Sequence, residues 1–355
     1  MAGVGKATAA RTLGNYGAVS PEARARVVAA AQMLGYRPNN LARSMATGIT
    51  RTIGVIVADI SNPFFAGVVR GIADACDVMD YSMIVLSTDE MLSKEQAALG
   101  VLMDKQVDAI ILASAAHVPR ETAHIQEAMN RRIPVVLVDR RIRGRDLGAV
   151  VIDNRDAARD AVRQLIGVGH RRIAFAWGPE FHDGPLERAP LLALAAEQLW
   201  SQGERLFGYI DALDEAGIGF DPLLVSHCPN NEEATVGMAR AMLSLPEPPT
   251  ALLTTETDAM VGALRAIKEC GLSYPDDISV IGFDDSSWAS VMDPPLTMIA
   301  QPMLKLGWAA AQHALTTIAQ DDDEALVQII PSRLISRGSV APPRASIGMD
   351  ADGER

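Results

Sequence analysis

At 355 residues, 48% apolar and 21% charged, the chain is long enough for about two or three domains with full cores, which excludes a disulfide-dependent mini-protein and a disordered activator. Its net charge of −12 argues against a surface that coats nucleic acid over its whole extent. No apolar run is long enough to span a bilayer and the first twenty positions lack the apolar stretch of an export signal, so a cytoplasmic protein with no membrane partner is expected. Cys76, Cys228 and Cys270 are far apart and without Cys/His spacing; each reads as a small core residue, and no metal or cofactor is expected.

The charge is unevenly placed. Lys6, Arg11, Arg24, Arg26, Arg37 and Arg43 face a single acid, Glu22, in the first fifty residues, a basic head on an acidic body. Residues 4–15 read as a short alanine-rich helix ending at Gly14. Ser20 and Pro21 then supply an N-cap and a first-turn proline for a helix that Gly35 stops. On spacing alone, two short basic helices around a glycine turn suit a helix-turn-helix or a helical hairpin used for dimer contacts.

From Thr52 the pattern alternates between short β-branched runs and amphipathic stretches. Strands are expected at Ile53 to Ala58, Met83 to Leu86, Ala109 to Leu112, Val135 to Val138 and Val150 to Ile152, with helices such as Pro63 to Val78, Lys94 to Met103 and Glu121 to Asn130 between them. The alternation restarts after Asn154. Strands near Ile173 to Ala176, Leu223 to Val225, Ala251 to Leu253 and Ile278 to Phe283 are separated by helices near 155–166, 205–216, 232–243 and 259–268. The fold class is α/β, two doubly wound parallel-sheet units in succession. Ligands in such sheets bind beyond the carboxyl ends of the strands, which directs attention to Asp59 to Phe65, Asp139-Arg140, Asp153-Asn154, Thr254 to Asp258 and Asp284-Asp285.

Nucleotide-binding glycine loops and a hydrolase elbow have no counterpart in this sequence. His170, in Gly169-His170-Arg171-Arg172, reads as a helix C-terminal residue favoured by the dipole, and the neighbouring acids Asp276-Asp277 and Asp284-Asp285 are not expected to converge as acid/base pairs. No enzymatic activity is expected.

The run Gly35-Tyr36-Arg37-Pro38-Asn39-Asn40-Leu41-Ala42-Arg43-Ser44-Met45, then Arg51-Thr52-Ile53-Gly54 and Asp59-Ile60-Ser61-Asn62-Pro63-Phe64-Phe65, closely resembles the lactose/galactose repressor (LacI/GalR) family of bacterial transcription regulators. The likeness continues through Asp153-Asn154, Gly169 to Ala174, Arg205-Leu206-Phe207-Gly208-Tyr209, Pro275 to Asp285, Pro295 to Pro302 and Ser336-Arg337-Gly338-Ser339, in unbroken order over almost the whole chain. It implies an all-α helix-turn-helix headpiece, a hinge helix and a core of the periplasmic-binding-protein type that dimerises and closes on a small effector. The implied boundaries are 1–38 for a partial headpiece, 39–50 for the hinge helix and linker, 51–152 with 284–319 for an N-terminal subdomain, 153–283 with 320–341 for a C-terminal one, and 342–355 for a disordered tail.

The same resemblance implies residue roles. Lys6, Ala7, Thr8 and Arg11 would lie on the recognition helix, touching base edges and phosphates of operator DNA. Asn39 to Thr47 would be the hinge helix, with Asn39 and Arg43 at the DNA and Met45 where the family places a leucine wedge in the minor groove. Asn62, Phe64, Asp139, Asp153, Arg205, Asp258, Asp284 and Gln301 would line the effector cleft, with Arg205, at a helix start, binding a sugar hydroxyl or a carboxylate. The implied function is a ligand-responsive repressor that binds a palindromic operator as a homodimer and takes a sugar-like effector.

Three departures qualify the transfer. Glu256-Thr257, with Asp258 one place later, stands where the family has an Asn-Asp pair, and Asn231-Glu232 where an aromatic floor is common. The segment between Gly178 and Arg205 is about a dozen residues longer than usual and carries a helix-like stretch, Leu191 to Trp200. The headpiece lacks the helix that would pack on Ala7, Ala10 and Leu13. Either the natural chain begins upstream, or this chain is a cytoplasmic small-molecule binding protein without DNA activity, carrying a frayed basic arm.

Overall fold

The structure is a computed structural model that describes residues 1–14, 17–35, 48–177, 185–227, 232–320 and 325–344. The head holds two helices, α1 (Lys6–Gly14) and α2 (Pro21–Met33). The Ser20 hydroxyl accepts from the Ala23 N–H at 3.3 Å, Pro21 occupies the first turn, and Gly35, at φ +58°, turns the chain out of the helix as a residue without a Cβ can. Thr12, Ala23 and Val27 are the buried residues of this head among those described, and Ala7 and Ala10 are exposed. The expected hinge helix 39–47 lies outside the described residues.

The first lobe runs β1 (Thr52–Val57), α3 (Pro63–Val78), β2 (Ser82–Ser87), α4 (Leu92–Asp104), β3 (Ala109–Leu112), α5 (Ala123–Asn130), β4 (Val135–Val138) and β5 (Ala149–Ile152). The second begins at α6 (Asn154–Gly167) and continues through β6 (Ile173–Trp177), α7 (Arg188–Glu197), α8 (Trp200–Glu215), β7 (Val225–His227), α9 (Glu232–Leu243), β8 (Ala251–Thr254), α10 (Thr257–Glu269), β9 (Ser279–Phe283), α11 (Ser287–Val291) and β10 (Thr297–Ala300). The chain then returns through α12 (Met303–Gln320), β11 (Val327–Ile330) and β12 (Arg333–Ile335). β1, β3, β4 and β5 are β-branched and almost wholly buried, as strands covered by helices on both faces must be.

Each lobe is a six-stranded sheet. The first is ordered β11-β5-β4-β3-β1-β2 and is parallel throughout; the second, β12-β10-β9-β8-β6-β7, is parallel except where β10 meets β12. The pairings move two boundaries of the sequence reading. Thr297–Ala300 pairs with β9 in the second sheet, so the chain crosses back at residues 301–302 and not at 284. Val327–Ile330 pairs with β5 in the first sheet, so the last crossing falls at 331–332 and not at 320. The lobes are thus joined three times. The first and third crossings are tied together, because the Asp153 Oδ1 accepts the Ser332 N–H at 2.8 Å.

Glycines set the closest helix contacts. A Cβ on Gly307 of α12 would meet the Val68 carbonyl oxygen of α3 at 2.0 Å, and one on Gly71 of α3 would meet the Leu304 oxygen at 2.2 Å. Two smaller expectations are corrected. His170 does close the end of α6, its backbone N–H donating to the Leu165 carbonyl at 3.1 Å, but its side chain does not serve the dipole: the buried imidazole hydrogen-bonds Thr250, Ser279 and the Ala341 carbonyl, and burial lowers its pKa. Cys76 is a core residue, but Cys270 is exposed at the end of α10; Cys228 lies outside the described residues.

Candidate functional site

The carboxyl ends of the two sheets face each other across a cleft of about 430 Å³. On the first lobe the wall comes from the turns after β1, β2 and β4. Asn62 caps α3, its Oδ1 accepting from the Phe64 N–H at 2.9 Å, which holds the Phe64 ring at the cleft edge-on to Phe65, centroids 5.0 Å apart. After β4, Asp139 and Arg140 form a buried pair: the guanidinium Nε donates to Asp139 at 2.9 Å and Nη1 to Glu90 at 3.0 Å, while its carbon lies 5.8 Å from the Phe65 ring centre.

The second lobe answers with α8 and the turns after β8 and β9. Arg205 is buried in the second turn of α8, five residues after its start at Trp200, and Ser201 and Gln202 of the first turn also line the cleft. Its Nε donates to Asn154 Oδ1 at 2.8 Å, its Nη1 donates to the Thr255 carbonyl at 2.7 Å and lies 3.6 Å from Glu256, and its plane sits 4.1 Å from the Phe283 ring centre. Burial pushes the Glu256 carboxyl up to about 8; Arg205 opposes this, and Asp284, Glu90 and Asp139 add to it. Asp284 is raised by burial too, with Arg205 and the amide of Gln301, which donates to it at 2.6 Å, working against the rise.

Four non-glycine residues of the cleft, Asp89, Glu90, Asp139 and Asp284, hold left-handed backbone with φ between +51° and +71°. Strain of that kind persists where the surroundings over-determine it and a side chain must be aimed. Here it turns carboxylates into the cleft at the ends of β2, β4 and β9.

Seven of the eight residues expected at the cleft, Asn62, Phe64, Asp139, Arg205, Asp258, Asp284 and Gln301, line it. Asp153 does not; its carboxylate is spent on the Ser332 N–H at the lobe crossing. Arg205 was expected at a helix start and sits inside α8, because the helix begins at Trp200. Its neighbour Glu204 pairs with Arg143 instead. Glu90, Ser201 and Gln202 were missed. Glu90 lies in the turn after the strand expected at Met83 to Leu86, a turn left out of the polar strand ends singled out above, and Ser201-Gln202 fall between the apolar stretch Leu191 to Trp200 and the helix expected from Arg205. In the head, Lys6, Ala7 and Arg11 are exposed on α1 and Thr8 is half-buried. Asn39, Arg43 and Met45 lie outside the described residues.

Residues 50–338 match the family described as periplasmic binding proteins and sugar binding domain of LacI family, and residues 1–39 match bacterial regulatory proteins, lacI family. The chain belongs to the LacI family. Among LacI-family relatives, it is 32% identical to the catabolite control protein A of Priestia megaterium over 95% of this chain and 96% of that protein. It is 34% identical to the transcriptional repressor CytR of Escherichia coli K12, covering 95% and 93%. Among solved structures, the regulator CelR in complex with cellobiose superposes with a TM-score of 0.71 at 27% identity over 95% of this chain and 97% of that one, and the Lac repressor bound to ONPG with 0.77 at 25% over 96% and 97%. This LacI-family chain is a transcription regulator built from a helix-turn-helix head and a periplasmic-binding-protein-like core. No helix among its described residues is long and apolar enough to cross a membrane.

Proposed function

We propose that the chain binds a palindromic operator as a homodimer through its basic head, and that a sugar-like effector entering the cleft alters that binding. The observation that carries the reading is the cleft itself. Its walls come from two lobes joined at three crossings, so a molecule touching Asp139 and Phe64 on one side and Arg205 and Asp258 on the other binds closed and open arrangements with different affinities. The exposed Lys6 and Arg11 on α1, with Ala7 and Thr8 between them, offer phosphate and base-edge contacts, and Asn39, Arg43 and Met45 would extend them into the minor groove. Sugars in related structures, cellobiose with CelR and ribose with an Enterococcus faecium LacI-family regulator, support the effector class. Asp139 and Asp284 can accept, and Arg205 donate, the hydrogen bonds of a polyol. With operator DNA as its partner, the reading is of a cytoplasmic protein that acts by binding rather than by catalysis.

The test is binding to a duplex selected by the chain from random sequence, over a salt series. The log of the affinity is expected to fall steeply with the log of salt, by about 0.9 per phosphate contact, with two protomers on one duplex. Selection of no sequence would overturn the DNA reading. A second reading, a small-molecule binder without DNA activity, is favoured by the thin core of the head, where Thr12, Ala23 and Val27 alone are buried among the described residues. Amide exchange separates the two: protection over residues 6–33 supports the regulator, and exchange at the rate of an unfolded chain supports the binder.

A further inference from the structure

The charge of the cleft goes beyond what a neutral sugar requires. Seven carboxylates line it against two guanidiniums, those of Arg140 and Arg205. Both cations are already engaged by protein: Arg140 by Glu90 and Asp139, Arg205 by Asn154, the Thr255 carbonyl and the face of Phe283. Lys94, outside the cleft, answers Asp89. Asp59, Asp258 and Asp284 have no cation within ion-pair distance among the described residues, and Asp284 is nine-tenths buried with a Gln301 amide as its partner. Residues 178–184 and 228–231, outside the described set, contain no lysine or arginine.

An independent observation points the same way. Gln202 of α8 and Gln301 after β10, each 6% exposed, line the cleft, and the side-chain oxygen of each lacks a hydrogen-bond donor among the described residues. Buried acceptors left without donors cost about 1–3 kcal/mol each. A ligand that completes them must donate hydrogen bonds, and one that also relieves the carboxylates must carry positive charge.

Resting on the reading of the cleft as the effector site, we propose that the effector is a cation: a polyhydroxylated amine of the amino-sugar kind, its ammonium held among the carboxylates of Asp139, Glu256 and Asp284 and its hydroxyls met by Arg205, Gln202 and Gln301. Burial and the neighbouring Glu90 and Asp139 of the first lobe favour the protonated form of Glu256 in the second, and an ammonium placed between them favours its ionised form and so binds with release of that proton. Anionic sugars, phosphorylated or oxidised, would be repelled there.

The experiment is calorimetric titration of the full chain at pH 7 with three matched sets: glucosamine, galactosamine and mannosamine; their parents glucose, galactose and mannose; and the corresponding 6-phosphates. At least one amine is expected to bind about tenfold or more tightly than its neutral parent, with no binding by the phosphates. Asp284→Asn, which keeps shape and removes charge, is expected to weaken that amine by about ten- to a hundredfold, the range of a charged hydrogen bond, and its neutral parent, which loses only a neutral hydrogen bond, by at least about fivefold less than the amine; equal losses for the two would overturn the charge assignment. Glu256→Gln, at a less buried side chain of the same ammonium site, provides the same comparison should the Asp284 substitution impair folding. Neutral or phosphorylated sugars binding as tightly as the amines would overturn the charge assignment and leave the effector reading standing. Binding by no member of the three sets would overturn both.

Discussion

At the scale of single residues the cleft is a set of conflicts held in place by Arg205. Its guanidinium joins α6, through Asn154, to the turn after β8, and it is the cation that restrains the half-buried Glu256. Arg205→Ala is therefore expected to reduce effector affinity and lower stability together, by about 1–3 kcal/mol, a combination checked by calorimetry and thermal melting on the same sample. An unchanged melting temperature would mean that the arginine serves only the ligand. Glu256 carries a pH prediction with a definite sign. Its carboxyl titrates near 8 when folded and near 4.3 when unfolded, so the folded state holds the extra proton and stability falls as pH rises from about 4.5 to 8. The groups facing it are Arg205, Asp284, Glu90 and Asp139. Glu256→Gln, a fixed copy of the protonated form, should melt like the wild type at pH 5 and above it at pH 8.5; equal curves at both pH values would show that Glu256 is ionised throughout. Most of this constellation was legible as polar residues following strands. Asp153 misled because its partner, the Ser332 N–H, lies 179 residues away, and no local pattern announces a hydrogen bond of that span.

Among elements, the strongest constraint is the crossing of α3 and α12, where backbone meets backbone at Gly71 and Gly307. A methyl group at position 307 would lie 2.0 Å from the Val68 carbonyl oxygen, with no flexible side chain to yield. Gly307→Ala is expected to destabilise the chain by about 1–3 kcal/mol in urea unfolding, whereas Ala substituted at half-buried Gly100, where a Cβ meets nothing within 4 Å, should be neutral or stabilising. Equal midpoints for the two variants would contradict the packing. The strands and helices of the two alternating series were readable from β-branched runs and apolar spacing because each pattern is local. The returning segments were not. Val327–Ile330 and Arg333–Ile335 are short edge strands with mixed burial, and which sheet each joins depends on pairing with residues far away in the chain. The same applies to β10, whose neighbours β9 and β12 place it in the second lobe.

For the molecule as a whole, function depends on coupling between a basic head and an acidic cleft. A ligand that grips both lobes stabilises one arrangement by its differential affinity, and by linkage whatever it does to DNA affinity DNA does equally to its own. The lobes are joined at three crossings, and the Asp153 contact to Ser332 ties the first and third together. Family, fold class and most of the cleft were legible from motifs. The acidic excess of the cleft was not, because it exists only once the turns after β1, β2, β4, β8 and β9 are brought together. The measurement that bears most directly on the account is fluorescence anisotropy of the selected operator duplex, titrated with the full chain in the presence and absence of the best cleft ligand. Operator affinity is predicted to change by about fivefold or more when the ligand is added, and Arg205→Ala is predicted to keep DNA binding while losing most of that change. A ligand that occupies the cleft, as read by calorimetry, and leaves operator affinity the same would contradict it.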